Sequence, residues 1–83
     1  MIHPNAKDAE LFVAIDDYIG AHGFSPSMKD LADKLGLKFH GSVQFRLDRL
    51  QLLGWIERDQ DVPRSIRVKA RPRPEVLRKL AAA

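Results

Sequence analysis

Apolar residues recur along this chain first at helical spacings and then at an alternating one. Leu11, Ile15, Tyr18 and Ile19, widened by Phe12, form the first stripe. Steps of three and four residues along one face predict an amphipathic helix. Asn5 supplies an N-cap, and Asp8 completes an approximate capping box that suits the positive helix N-terminus. Gly23 is the stop, and Phe24-Ser25-Pro26 reads as a turn. A second, narrower stripe of Leu31, Ala32 and Leu35 begins behind Ser27, a strong N-cap with Asp30 at the third helical position. It ends at Gly36. Leu37-Lys38-Phe39-His40-Gly41 is a short connection. In a third helix, from Ser42 to Leu53, Val43, Leu47 and Leu50 share a face, and Gly54 ends it.

After Gly54 the period changes. Trp55-Ile56-Glu57-Arg58 reads as a strand, Gln60-Asp61-Val62-Pro63 as a turn, and Ser65-Ile66-Arg67-Val68 as the return strand. An isolated hairpin is marginal in water, so Ile56, Ile66 and Val68 must pack onto the helices. Two short helices across a Gly-containing turn are the pattern of a helix-turn-helix. The expected fold is mainly α with small β: a three-helix winged helix-turn-helix with a two-stranded β-hairpin wing, over residues 1–69. Residues 70–83 read as linker and tail. Alternating Pro and Arg from Lys69 to Pro74 favours an extended segment. Glu75 to Ala83 fits a short amphipathic helix or an expression-vector junction. The Lys-Leu-Ala-Ala-Ala ending favours the junction, with the natural protein expected to continue beyond it.

The 83 residues, 45% hydrophobic, suffice for one compact domain and not two. Cys is absent, which excludes disulfides and Cys-based metal sites. No apolar run approaches a membrane span or a signal-peptide core, so a soluble cytosolic domain is expected. Nothing in the chain points to catalysis, a cofactor or a small-molecule ligand. His3, His22 and His40 are scattered, and no Gly-rich phosphate cradle or zinc-binding helix motif occurs. Asp16 and Asp17 are helix neighbours whose side chains diverge by about 100°. The net charge of +3 is unevenly spread: residues 1–36 carry 3 basic and 6 acidic side chains, residues 37–83 carry 11 and 5. A one-sided positive field is the footprint of a phosphate-binding surface. The plainer alternative is a solvated charged face.

The ordered set Phe12-Val13-Ala14-Ile15, Gly23-Phe24-Ser25-Pro26-Ser27, Leu31-Ala32, Leu35-Gly36, Leu47, Leu50, Gly54-Trp55-Ile56 and Arg64-Ser65-Ile66-Arg67-Val68 resembles the N-terminal DNA-binding domain of LexA-type repressors. The resemblance covers about residues 5–69 with no gap. It implies a transcriptional repressor that binds double-stranded DNA, usually as a homodimer on a near-palindromic operator. It also implies a bacterial or phage-encoded protein, cytoplasmic and nucleoid-associated. Complete members of the family carry a C-terminal self-cleaving domain with a Ser–Lys dyad. No residues of this chain supply it, so self-cleavage is not implied here.

On this reading the third helix lies in the major groove with its N-terminal turn nearest the base edges. The base-reading set is Phe39, Gly41, Ser42, Gln44 and Phe45. The Gln44 amide suits adenine N6 and N7, and Ser42 suits a base or a phosphate. LexA-like domains commonly have Ser at the position of Phe39. Phe39 is a poor cap, so the cap is expected to move to Gly41 or Ser42. Phe45 stands where the family tends to be polar, and it either meets a thymine methyl or packs beneath Phe39. The operator should therefore differ from the family's usual one. Phosphate contacts are expected from Ser27, Lys38, His40, Arg46 and Arg49 around the helices, and from Arg64 with Ser65 on the wing. His40 is equally readable as a solvated loop residue. Leu52, Leu53 and Trp55 form either a partner surface or, with Leu53 and Trp55 covering helix 1, a single exposed Leu52. The competing function is a winged helix used as a protein-interaction module. RNA binding fits less well, because its narrow major groove excludes a reading helix.

Overall fold

The computed structural model describes residues 2–82; Met1 and the last residue of the tail, Ala83, lie outside them. Helix α1 spans Ala6–His22 and opens with a complete capping box. The Asn5 side chain accepts from the Asp8 amide and the Asp8 carboxylate accepts from the Asn5 amide, both at 2.9 Å. Helix α2, Met28–Leu35, opens the same way, with Ser27 and Asp30 exchanging bonds of 3.0 Å. Each helix stops at a glycine in the left-handed region, Gly23 at φ 78° and Gly36 at φ 70°, where a Cβ would be strained. Eight residues are too few for a stable isolated helix. The burial of Leu31 and Ala32 against α1 and α3 is what keeps α2 folded.

Helix α3 spans His40–Leu52. It starts earlier than the sequence pattern suggested, and the expected shift of the cap to Gly41 or Ser42 does not occur. Phe39 itself is the N-cap, extended at φ −119° and making no side-chain capping bond. Packing sets the start: Val43, Leu47 and Leu50 are fully buried, and this holds the first turn in register without a cap. The core joins these three to Leu11, Phe12, Ala14 and Ile15 of α1, Leu31 and Ala32 of α2, and Trp55, Ile56 and Ile66 of the hairpin. Phe12 and Trp55 meet edge-on, with ring centroids 5.8 Å apart. Trp55 is buried and Leu53 half-buried, so only Leu52 of that trio stands exposed, at 74%.

The wing is shorter than the alternation suggested. Strands β1, Ile56–Glu57, and β2, Arg67–Val68, pair antiparallel with Ile56 opposite Val68 and Glu57 opposite Arg67. Trp55 leaves the ladder because its ring belongs to the core. Its carbonyl accepts instead from Lys69 and Ala70, at 2.9 and 3.3 Å. Ser25, buried at the α1–α2 turn, ties the wing down by accepting from the Ile66 amide at 3.1 Å.

The tail takes the helical form that its sequence allowed. Residues 70–73 form no regular element, and Pro74–Ala81 forms helix α4, packed on α1. Pro74 at the first helical position needs no hydrogen-bond partner for a missing N–H. Leu77 and Leu80, three residues apart, then lean on the core, and Arg71 pairs with Asp16 to anchor the approach.

Candidate nucleic-acid interface

The helix-turn-helix leaves one face of α3 open. With Val43, Leu47 and Leu50 inward, His40, Gly41, Ser42, Gln44 and Phe45 are all exposed, as are Lys38 and Phe39 just before them. The uncapped start adds backbone donors to this surface. Ser42 N–H turns back to the Phe39 carbonyl at 3.2 Å, and the first-turn amides ahead of it point outward at the positive end of the helix. A groove of about 360 Å³ runs between the N-terminus of α2, α3 and the wing, lined among others by Ser27, Lys29, Gln44, Arg58, Asp59 and Asp61. The Ser27 hydroxyl accepts from the Asp30 amide, which leaves its own proton available to an outside acceptor.

Three of the residues expected to contact phosphate, Arg49, Arg64 and Ser65, hold partners within the chain. Arg49 donates to both carboxylate oxygens of the buried Asp8, at 2.9 and 2.8 Å, and to the His3 carbonyl at 3.1 Å. A carboxylate sealed at the base of α1 requires that partner, so Arg49 faces α1 and not the solvent side of α3. Burial pushes the Asp8 carboxyl up, but the Arg49 hydrogen bond, the Asn5 amide and the Arg49 and Arg46 charges together hold it below its ordinary value. Arg64, although its side chain stays 45% exposed, is engaged as well. It pairs with Asp30 at 3.0 Å, donates to the Tyr18 hydroxyl at 3.2 Å and the Ser25 carbonyl at 3.1 Å, and stacks 5.2 Å from the Phe24 ring centroid. These contacts hold Arg64 at φ 56°, a left-handed conformation that a non-glycine residue adopts only when its surroundings enforce it. The Ser65 hydroxyl closes the wing turn, accepting from the Asp59 amide at 3.0 Å and reaching the Val62 carbonyl at 2.8 Å.

Arg46 is intermediate. It donates to the Lys7 carbonyl at 2.9 Å, forms no ion pair within 4.0 Å among the described residues, and its Nε is buried without a partner. Lys38 and His40 remain exposed with no ion pair among the described residues. Asp30, at the hub of the Arg64 cluster, is lowered to about 2 by the Ser27 amide first, despite some desolvation, with help from the Ser27 and Tyr18 hydroxyls and the Arg64 charge.

Sequence reasoning missed the partners of these arginines and the role of Arg58. The Arg58 side chain, only 10% exposed, crosses from β1 to α3, bonding Gln51 at 2.6 Å and pairing with Asp48. The signal was present in the charge imbalance between the two parts of the chain. Asp8–Arg49, Asp30–Arg64 and Asp16–Arg71 each join a carboxylate of the acidic part to an arginine of the basic part. Of the 11 basic residues in 37–83, six (Arg49, Arg58, Arg64, Arg67, Lys69 and Arg71) hold a carboxylate within 4.0 Å. Three of these six, Arg49, Arg64 and Arg71, are the ones that draw on carboxylates of the acidic part. At the wing turn Asp59 pairs with Arg67 at 3.4 Å, and Asp61 has no ion pair among the described residues.

Among the described residues no helix is long and apolar enough to cross a membrane. Residues 5–65 match the family model described as the LexA DNA binding domain. The LexA repressor of Corynebacterium diphtheriae is 31% identical over 68 residues, covering 82% of this chain and 29% of its own length. That of Exiguobacterium is 33% identical over 64 residues, covering 77% and 31%. That of Koribacter versatilis is 29% identical over all 83 residues, covering 39% of its length. This chain thus spans about a third of the curated relatives it matches. By the extent of the family match, the chain belongs to the LexA DNA-binding domain family.

Proposed function

We propose that this chain is the sequence-specific, double-stranded-DNA-binding unit of a transcriptional repressor, with α3 docked in the major groove. The observation that carries this reading is the division of α3. One line is locked into the core, and the other presents Gly41, Ser42, Gln44 and Phe45 in the open, beside an uncapped helix start. That is the geometry a groove-reading helix requires, with its N-terminal residues nearest the base edges. Gln44 offers a donor and an acceptor to adenine, and Ser42 a hydroxyl to a base or phosphate. Ser27, Lys38, His40 and Arg46 flank the helix as phosphate contacts that fix register. Residues 1–69 form the DNA-contacting unit in this reading, and the segment after them braces α1. The family resemblance supports a homodimer on a near-palindromic operator, and a cytoplasmic site of action at the nucleoid.

Selection of bound duplexes from a random pool tests the proposal. Enrichment of one short motif is the expected result, and two inverted copies of it at a fixed spacing would support the dimer. Retention that responds to salt but enriches no sequence would overturn sequence-specific reading.

A further inference from the structure

At about 100° per helical residue, the line of α3 opposite Val43, Leu47 and Leu50 runs through Gly41, Phe45, Asp48 and Leu52. Asp48 is engaged by Arg58. The N-terminal half of the outward line therefore presents one bare backbone step and one aromatic ring. Phe45 is 66% exposed and Phe39, at the helix start, 72%. No ring pair joins them among the described residues, so the packing of Phe45 beneath Phe39 is not what occurs.

Three local choices here run against stability and gain nothing inside the domain. The N-cap has no capping group. Gly41 stands in a helix although a Cβ there would meet nothing within 4 Å and its backbone is not left-handed. The Phe45 ring is left in water. Broken local rules without internal compensation concentrate where a molecule meets its ligand.

We infer that the Gly41–Phe45 face reads the C5-methyl groups of pyrimidines, chiefly thymine. This rests on the docking of α3 in the major groove. The C5-methyl is the apolar feature of the major-groove edge, and a phenyl ring can cover it but cannot read a donor or an acceptor. The missing side chain at Gly41 lets the helix backbone approach the bases. Gln44, on the flank nearer the wing, supplies hydrogen-bond readout of a neighbouring pair. Discrimination at the Phe45 position is then by methyl group: thymine and 5-methylcytosine carry it, uracil and cytosine do not.

The test uses a duplex recovered by selection, remade with deoxyuridine in place of each thymine singly. This keeps the pairing edge and removes only the methyl. Each methyl covered by Phe45 should cost about fourfold in affinity when removed, at one or two positions per half-site. At the same positions a 5-methylcytosine–guanine pair should bind more tightly than a cytosine–guanine pair. Phe45→Ala should lose the uracil penalty, and Phe45→Leu, which keeps an apolar contact, should retain part of it. A site recovered without thymine, uracil substitutions that change nothing, or a penalty undiminished in Phe45→Ala would each overturn the inference while leaving groove docking intact. Failure to recover any preferred site would overturn the docking itself and this inference with it.

Discussion

Arg64→Ala separates the internal use of the arginines from an external one. If Lys38, Arg46, Arg49 and Arg64 all neutralised phosphates, each would contribute about −0.9 to the slope of log affinity against log salt, about −3.6 per protomer. Arg49 and Arg64 are held by Asp8 and Asp30, which leaves Lys38 and Arg46 and a slope of about −1.8. Between about 50 and 200 mM salt the affinity should then fall about 12-fold per protomer, and not about 150-fold. Fluorescence anisotropy of a labelled random duplex, titrated at four or five salt concentrations, reads the slope directly. Lys38→Ala should make it shallower by about 0.9. Arg64→Ala should leave it unchanged while lowering the urea midpoint, because the left-handed turn at Arg64 loses the contacts that enforce it. A folded Arg64→Ala protein whose slope became shallower by about 0.9 would refute this account and return Arg64 to the DNA backbone.

Further outcomes concern stability. Asp30 sits at about 2 and Asp8 also lies below its ordinary 3.8. A carboxylate depressed in the folded state stabilises fully above its unfolded pKa, and that stabilisation is lost as pH falls through the folded value. The urea midpoint should therefore drop between about pH 4 and 2, and Asp30→Asn should flatten that limb; a midpoint unchanged by Asp30→Asn across this window would contradict the linkage. Phe12→Ala should cost about 3–5 kcal/mol in urea unfolding followed by the fluorescence of Trp55, its edge-on neighbour. Leu52→Ser, at the exposed end of α3, should change stability by less than about 0.5 kcal/mol. Leu77→Ala and Leu80→Ala should each cost about 1 kcal/mol, as half-buried leucines leaning on the core, and an unmoved midpoint would mean that α4 does not hold to α1 in solution.

The ion pairs of the wing bear on the proposed docking. At the turn Asp59 pairs with Arg67, Arg64 pairs with Asp30, and Asp61 has no ion pair among the described residues. In the proposed docking, phosphate contacts fall to the turn before α3 and the start of α2, while the wing covers the core through Ile56 and Ile66. There the Ser27 and Ser42 hydroxyls and the first amides of α3 would be neutral donors, which hold phosphates without displacing counterions through their own charge. The shallow salt dependence expected above is consistent with that division of work.

What the sequence by itself determined was local. The capping boxes at Asn5 and Ser27, the stops at Gly23 and Gly36, the inward line of α3 and the hairpin after Gly54 depend on short-range spacing and backbone sterics, so residue order alone exposed them. The exposure of Ser42, Gln44 and Phe45 followed from the same periodicity. Tertiary structure decided everything that rests on contacts far apart in the chain. Arg49 and Arg64 look like free cations until Asp8 and Asp30, 41 and 34 positions away in sequence, are brought beside them. Likewise the Leu77 and Leu80 stripe is too short to declare itself until α1 offers a surface to bury it. A guanidinium's partner is set by which carboxylate the fold leaves within about 4 Å, since Coulomb attraction strong enough to hold it acts only at that range in a partly desolvated setting. Chain order carries no record of that distance.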